Sequence, residues 1–151
     1  MKTLAFLVVA AVVLALAGWL FVRFAPTDPQ AWHLDPLTAP DPGLRGYQIT
    51  PPRAPVFPVS PSELLQAFDD HAQTRRRVIR LAGSVDEGQI TYLTRTRYIG
   101  FPDFITIRTL PSGDGSTLAA RGISRFGGFD HNTNQARITA WISAVQDKLG
   151  G

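Results

Sequence analysis

Residues 4–22 carry no charge and are nearly all apolar, and Lys2 and Arg23 bound the run. Nineteen such residues match the ~20 a helix needs to cross the hydrocarbon core of a bilayer. No polar residue punctuates the run, so it offers no outer face on which a soluble helix could be solvated. With Lys2 and the amino terminus on one side, the positive-inside rule keeps the N-terminus in the cytoplasm and sends the rest of the chain outward. Trp19 and Phe21 then suit the outer interface. Residues 1–24 therefore read as a single-pass anchor in the inner membrane of a Gram-negative-type envelope, with the remainder in the periplasm. The alternative is secretion to the periplasm after cleavage near Ala17, because Ala15-Leu-Ala17 is a small-x-small site behind an apolar stretch. Against cleavage, the apolar run continues through Trp19-Leu-Phe-Val22, whereas a mature N-terminus is usually polar.

Beyond the leader, the chain is long enough for one domain with a real core and too short for two. Of 15 basic residues Lys2 and Arg23 flank the leader, which leaves 13 against 12 acidic ones. That balance argues against a nucleic-acid partner. Cysteine is absent, which removes disulfides, thiolate metal sites, Cys nucleophiles and a lipidated cysteine together. The three His have no paired ligand spacing, so neither a metal nor any other cofactor is expected.

Residues 26–61 hold ten of the twelve prolines, and no helical or alternating pattern survives among them. Residues 25–59 read as an extended, semi-rigid spacer. Trp32, Leu34, Leu37, Tyr47 and Val56-Phe57 are too apolar for a free linker, so part of it should lie on the domain. His33, beside Trp32, reads as packing rather than a ligand.

The globular part, residues 60–151, opens with Ser60-Pro-Ser-Glu63, a capping box with Pro at the first helical position. Leu64, Leu65, Ala67 and Phe68 supply the buried stripe of a helix over residues 61–72. Asp69 and Asp70 sit late in it, and Arg75-Arg-Arg77 comes next as a solvated exit or, alternatively, a patch for anions or lipid headgroups. Val78-Ile-Arg-Leu-Ala82 reads as a strand. From Gln89, a period of two puts Ile90, Tyr92, Thr94, Thr96 and Tyr98 on one face and Leu93, Arg95 and Arg97 on the other. Phe104-Ile-Thr-Ile-Arg-Thr-Leu110 resumes after a corner at Pro102. A Pro111-Ser-Gly-Asp-Gly115 loop leads to a returning strand over residues 116–126. The last element is capped by Asn132, Thr133 or Asn134 and buries Ile138, Trp141, Ile142, Val145 and Leu149 on one helical face. Gly150-Gly151 ends it. The expected fold is α+β: an antiparallel sheet of about four strands in meander order, with an N-terminal and a C-terminal helix packed on it.

Arg97-Tyr-Ile-Gly-Phe-Pro-Asp103, together with Ser124-Arg-Phe-Gly127, Asp130, Asn134 and Arg137, resembles the bacterial domain-of-unknown-function family 1499 over roughly residues 60–149. The resemblance implies the domain and no activity. Members often have Gly two residues after the motif Asp, where this chain has Asn132. They also often carry a Cys-containing segment near the domain start, which this chain lacks.

The polar constellation Arg97, Asp103, Arg125, Asp130, Asn134 and Arg137 admits three readings. A carboxylate before a helix accepts backbone N–H bonds and an Arg fork, so Asp103 and Asp130 can tie sheet to helix. Arg125, the Gly127-Gly128 backbone and the helix start can instead seat a phosphate or carboxylate. Ser124, Asp130 and His131 are weak candidates for hydrolytic catalysis, since Ser-Arg-Phe-Gly is not a nucleophile elbow. The expected function is a non-enzymatic binding or accessory module of the envelope, held in the membrane by its N-terminal helix and acting on an envelope protein or anionic lipid. A hydrolase or lipid-modifying enzyme using Ser124, Asp130 and His131 is the alternative.

Overall fold

The computed structural model describes residues 1–97 and 99–150. The apolar leader forms one helix, α1 (Lys2–Phe24), with no residue buried against the rest of the chain. At 23 residues and ~1.5 Å per residue it is about 35 Å long, enough to cross a bilayer. A short helix α2 (Pro29–Trp32) comes next, capped by the Asp28 side chain on the Gln30 N–H.

Among the described residues six strands, not four, make one antiparallel sheet: β1 (Gly46–Ile49), β2 (Val56–Phe57), β3 (Val78–Ser84), β4 (Gln89–Arg95), β5 (Pro102–Ser112) and β6 (Gly115–Ser124). The order is β1-β6-β5-β4-β3, so the expected meander of the last four is present. The two additional strands come from the proline-rich segment. Both pair with the outer edge of β6, β1 at residues 120–123 and β2 at Ser116 and Thr117. The physical reason is edge protection: β6 is long, and a bare edge would leave its N–H and C=O groups unpaired.

Most boundaries lie at the residues that set them. Helix α3 (Pro61–Gln73) begins at the Ser60–Glu63 capping box, with both reciprocal bonds formed. Strand β4 stops at Arg95, because Thr96 and Phe101 close a turn through Phe101 O (3.0 Å) and Thr96 Oγ1 (2.9 Å). The strand expected to reach Tyr98 is thus shorter, and Tyr98 itself lies outside the described residues, as does Gly151. The β5–β6 hairpin is tighter than the expected five-residue loop, with only Gly113 and Asp114 between the strands. Helix α4 (Thr133–Leu149) carries the C-terminal apolar face.

The alternation along β4 and β5 sorts residues to two covered faces. On one, Ile90, Tyr92, Ile105, Ile107, Leu118 and Ala120 meet Leu64, Leu65 and Phe68 of α3 and Ile138, Trp141, Ile142 and Val145 of α4. On the other, Leu93, Thr91, Phe104 and Thr106 are equally buried, and residues 32–40 cover them. Trp32 stacks on Phe104 at 4.0 Å, His33 bonds Thr91 at 2.8 Å, and Arg121 donates to the Pro40 carbonyl at 3.3 Å. Asp35 pairs with Arg108. The supposed spacer is thus the second layer of the domain. Leu34, Leu37 and Val56 nevertheless stay exposed.

Candidate functional site

The joint between β6 and α4 gathers most of the expected constellation. Asp103, on β5 opposite Ser124, accepts the Ser124 hydroxyl at 2.7 Å and an Arg137 guanidinium N–H at 3.0 Å. Asp130 accepts both the backbone N–H of Asn134 (3.1 Å) and its side-chain amide (2.9 Å), and that amide also donates to Ser124 Oγ at 3.3 Å. Asp130 thereby serves α4 in place of the formal cap residue Asn132, which makes no side-chain cap bond. Chain reversal here forces His131 and Asn132 to φ of 53° and 60°, a left-handed conformation costing ~1–2 kcal/mol per non-glycine residue. The Asp130–Asn134 bonds offset that strain. Gly122 lets the helix come this close: a Cβ there would stand 2.8 Å from Asn134 Cβ.

Of the three residues weighed for hydrolysis, Ser124 Oγ bonds Asp103 and Asn134, while His131 is exposed and meets Phe129 edge-on at 4.7 Å. All three line one cavity of about 290 Å³, together with Phe101, Phe126 and Phe129. Among the described residues, no hydrogen bond joins His131 to Ser124 or Asp130. No group of three or more His, Asp or Glu side chains among them is placed to hold a metal there either.

Arg125, a candidate anion seat by its sequence context, instead clasps the chain just beyond α1. Its guanidinium donates to the carbonyls of Ala25 (3.2 Å) and Pro26 (2.7 Å) and to Thr27 Oγ1 (2.9 Å). Other contacts hold the end of α1 to the same region. Trp19 Nε1 donates to the Ile99 carbonyl at 3.1 Å, and Phe21 meets Phe126 edge-on at 6.1 Å. Gly100 sits at φ +81°, where a Cβ would fall 2.7 Å from an Arg23 nitrogen.

Beyond Arg137 lies a cleft of about 520 Å³ lined by six arginines: Arg75, Arg76 and Arg77 after α3, Arg95 and Arg97 at the end of β4, and Arg137 on α4. Among the described residues no carboxylate lines its wall; Thr94, Thr96, Thr133 and Trp141 add polar and aromatic lining. Arg75 donates to His71 Nε2 (3.2 Å), Arg77 to the Arg97 carbonyl (3.0 Å) and Arg95 to the Gly100 carbonyl (3.0 Å), all acceptors without formal charge when His71 is neutral. Desolvation, with Arg75 and Lys148 nearby, pushes the His71 pKa down and favours that neutral form. Burial, then Arg23 and Arg125, likewise pushes the Arg95 guanidinium down. Concentrated positive charge of this kind attracts anions, and planar guanidiniums suit phosphate oxygens.

One buried network is not apparent from the sequence. Asp69, 4% exposed, pairs with Arg80 and accepts the Tyr92 hydroxyl at 3.0 Å. Burial, then the Asp69 charge, drives the Tyr92 pKa well up. Tyr92 on a core-facing strand position is the one signal that could have pointed to it, since a buried phenol needs an acceptor.

Fold and site together define a small α+β domain, two-layered on its sheet, with an arginine cleft beside the end of an apolar N-terminal helix. The chain belongs to the family described as protein of unknown function (DUF1499), whose profile matches residues 26–145. That match takes in the proline-rich segment as well as the part recognised by its motifs, as the pairing of β1 and β2 requires. A crystal structure of the Mll3558 protein from Rhizobium loti is similar, with 18% identity, a TM-score of 0.45, and coverage of 68% of this chain and 94% of that one. No curated protein matches the sequence.

Proposed function

We propose that the protein is a membrane-anchored, non-enzymatic binding module of the cell envelope whose arginine cleft receives an anionic ligand. In this reading α1 crosses the inner membrane with its N-terminus in the cytoplasm, and the domain stands in the periplasm. The observation that carries it is the convergence of six arginines from three separate elements on one cleft. Arg137 is paired with Asp103 behind the wall, and among the described residues no carboxylate lines the cleft itself. Like charges so gathered repel, and a bound anion relieves that repulsion while accepting several charge-assisted hydrogen bonds.

The test is isothermal titration of the full chain, held in nanodiscs of neutral phosphatidylcholine, with inorganic pyrophosphate. Saturable heat that weakens with added salt is expected, and Arg76→Glu with Arg97→Glu should lower affinity about tenfold or more. Absence of saturable heat, or binding indifferent to both substitutions, overturns the reading. Ser124→Ala with His131→Ala should preserve function in a deletion-complementation assay; loss with an unchanged melting temperature would favour a hydrolase instead.

A further inference from the structure

We infer that the occupant of the arginine cleft is an anionic phospholipid of the leaflet in which α1 ends, with its phosphate among the arginines and the upper part of its acyl chains in the adjoining phenylalanine cavity. This rests on the anion-binding reading and adds the apolar half of the ligand. Thr96 and Thr133 line both the cleft and the 290 Å³ cavity, so a charged chamber and one carrying Phe101, Phe126 and Phe129 share a boundary. Asp103, Ser124, Asp130 and His131 also line the second chamber, but its two carboxylates are nearly inaccessible and engaged within the joint. A molecule straddling that boundary needs one anionic end and one apolar end.

Where the boundary lies selects the source. Phe126 touches Phe21 of α1, and the loop carrying Ile99 is bonded to Trp19. Trp at the end of a membrane-crossing helix marks the headgroup region, which puts both chambers at that depth. Large apolar side chains stay uncovered among the described residues of the same two loops, Ile99 at 47% and Phe129 at 52% exposure. In water about half of each side chain faces solvent; at the acyl boundary that surface is solvated by lipid. Arg23 beside Gly100 adds positive charge toward the same loop. A free phosphate would use the cleft and leave the phenylalanine side and Ile99 bare, which is why the amphiphile is the better fit.

Native mass spectrometry of the full chain ejected from nanodiscs of equal phosphatidylcholine and phosphatidylglycerol tests this. One phosphatidylglycerol should be retained over phosphatidylcholine by about tenfold, because both carry a phosphate but the arginines repel the choline cation. Phe129→Ser with Ile99→Ser, both at exposed positions, should cut that retention about tenfold through lost apolar contact while leaving the pyrophosphate titration unchanged. Arg97→Glu should weaken both. Equal retention of the two lipids, or retention indifferent to the serine substitutions as for lipids merely surrounding α1, overturns the inference. In either case pyrophosphate binding that persists leaves the anion cleft standing, and its absence removes both.

Discussion

The β6–α4 joint and the arginine cleft adjoin one another, share Arg137, and treat charge in opposite ways. In the joint both carboxylates are nearly inaccessible, Asp103 at 2% and Asp130 at 8%, and each accepts two hydrogen bonds. In the cleft, Arg75, Arg76, Arg77 and Arg97 are exposed, and among the described residues no acidic one lines the wall. A buried network whose carboxylates are paired fixes geometry, even with Asn134 Oδ1 buried and unpaired, because removing one member strands the others without water. An exposed cluster of one sign does little for stability and leaves its field available to a ligand. The motif residues that first suggest chemistry belong mainly to the first kind.

The sharpest way to break this contrast is a pair of substitutions. Asp130→Ala removes the acceptor of two Asn134 donors and should destabilise the fold by about 2–3 kcal/mol in denaturant unfolding. Arg76→Glu should stay within about 0.5 kcal/mol of the wild type. A native midpoint for Asp130→Ala would show that the joint is not what holds α4.

Gly122→Ala probes the same joint through packing. Its methyl would meet Asn134 at 2.8 Å, and overpacking of this kind costs ~1–3 kcal/mol. Calorimetric melting of the variant measures it, and an unchanged melting temperature would mean that α4 can lift from β6 freely.

The smallest expected effect is a pH slope at the cleft's rim. The His71 pKa is depressed in the fold by desolvation and by Arg75 and Lys148, so between that value and about 6.5 the unfolded chain binds more protons. Stability from this group is therefore complete above roughly pH 6.5 and is lost as pH falls through the folded value. Unfolding midpoints measured across that window should fall with pH in the wild type and less in His71→Gln. Equal slopes would remove His71 from the electrostatics of the cleft.

Much of the fold is legible in the sequence because strong local signals agree with it. The Ser60–Glu63 box, the alternation through Ile90 and Tyr92, and the spacing from Ile138 to Val145 each specify an element without tertiary help. Strands β1 and β2 are not legible: four and two residues long, among prolines, they become strands only because β6 offers an edge. At the site, the Asp103, Asp130, Asn134 and Arg137 cluster can be read from spacing, since a β-hairpin and a helix start bring them together. The cleft can be read only in part. The Arg75-Arg-Arg77 run admits an anion or lipid-headgroup patch, but its convergence with Arg95, Arg97 and Arg137 does not show, because those come from a strand end and α4 and each alone looks like an ordinary solvated charge. Arg125 misleads for a related reason, because its partners are two backbone carbonyls and a threonine hydroxyl about 100 positions away.

On the proposed reading the cleft, and not the joint, is where the molecule meets its ligand. The melting temperature of the full chain in neutral nanodiscs, monitored as pyrophosphate is added, tests it directly. A ligand that binds only the folded state raises the melting temperature with concentration. The wild type should show that rise, and the chain carrying Arg76→Glu and Arg97→Glu should show little or none. A flat wild-type curve, or an equal rise in both chains, would contradict the account.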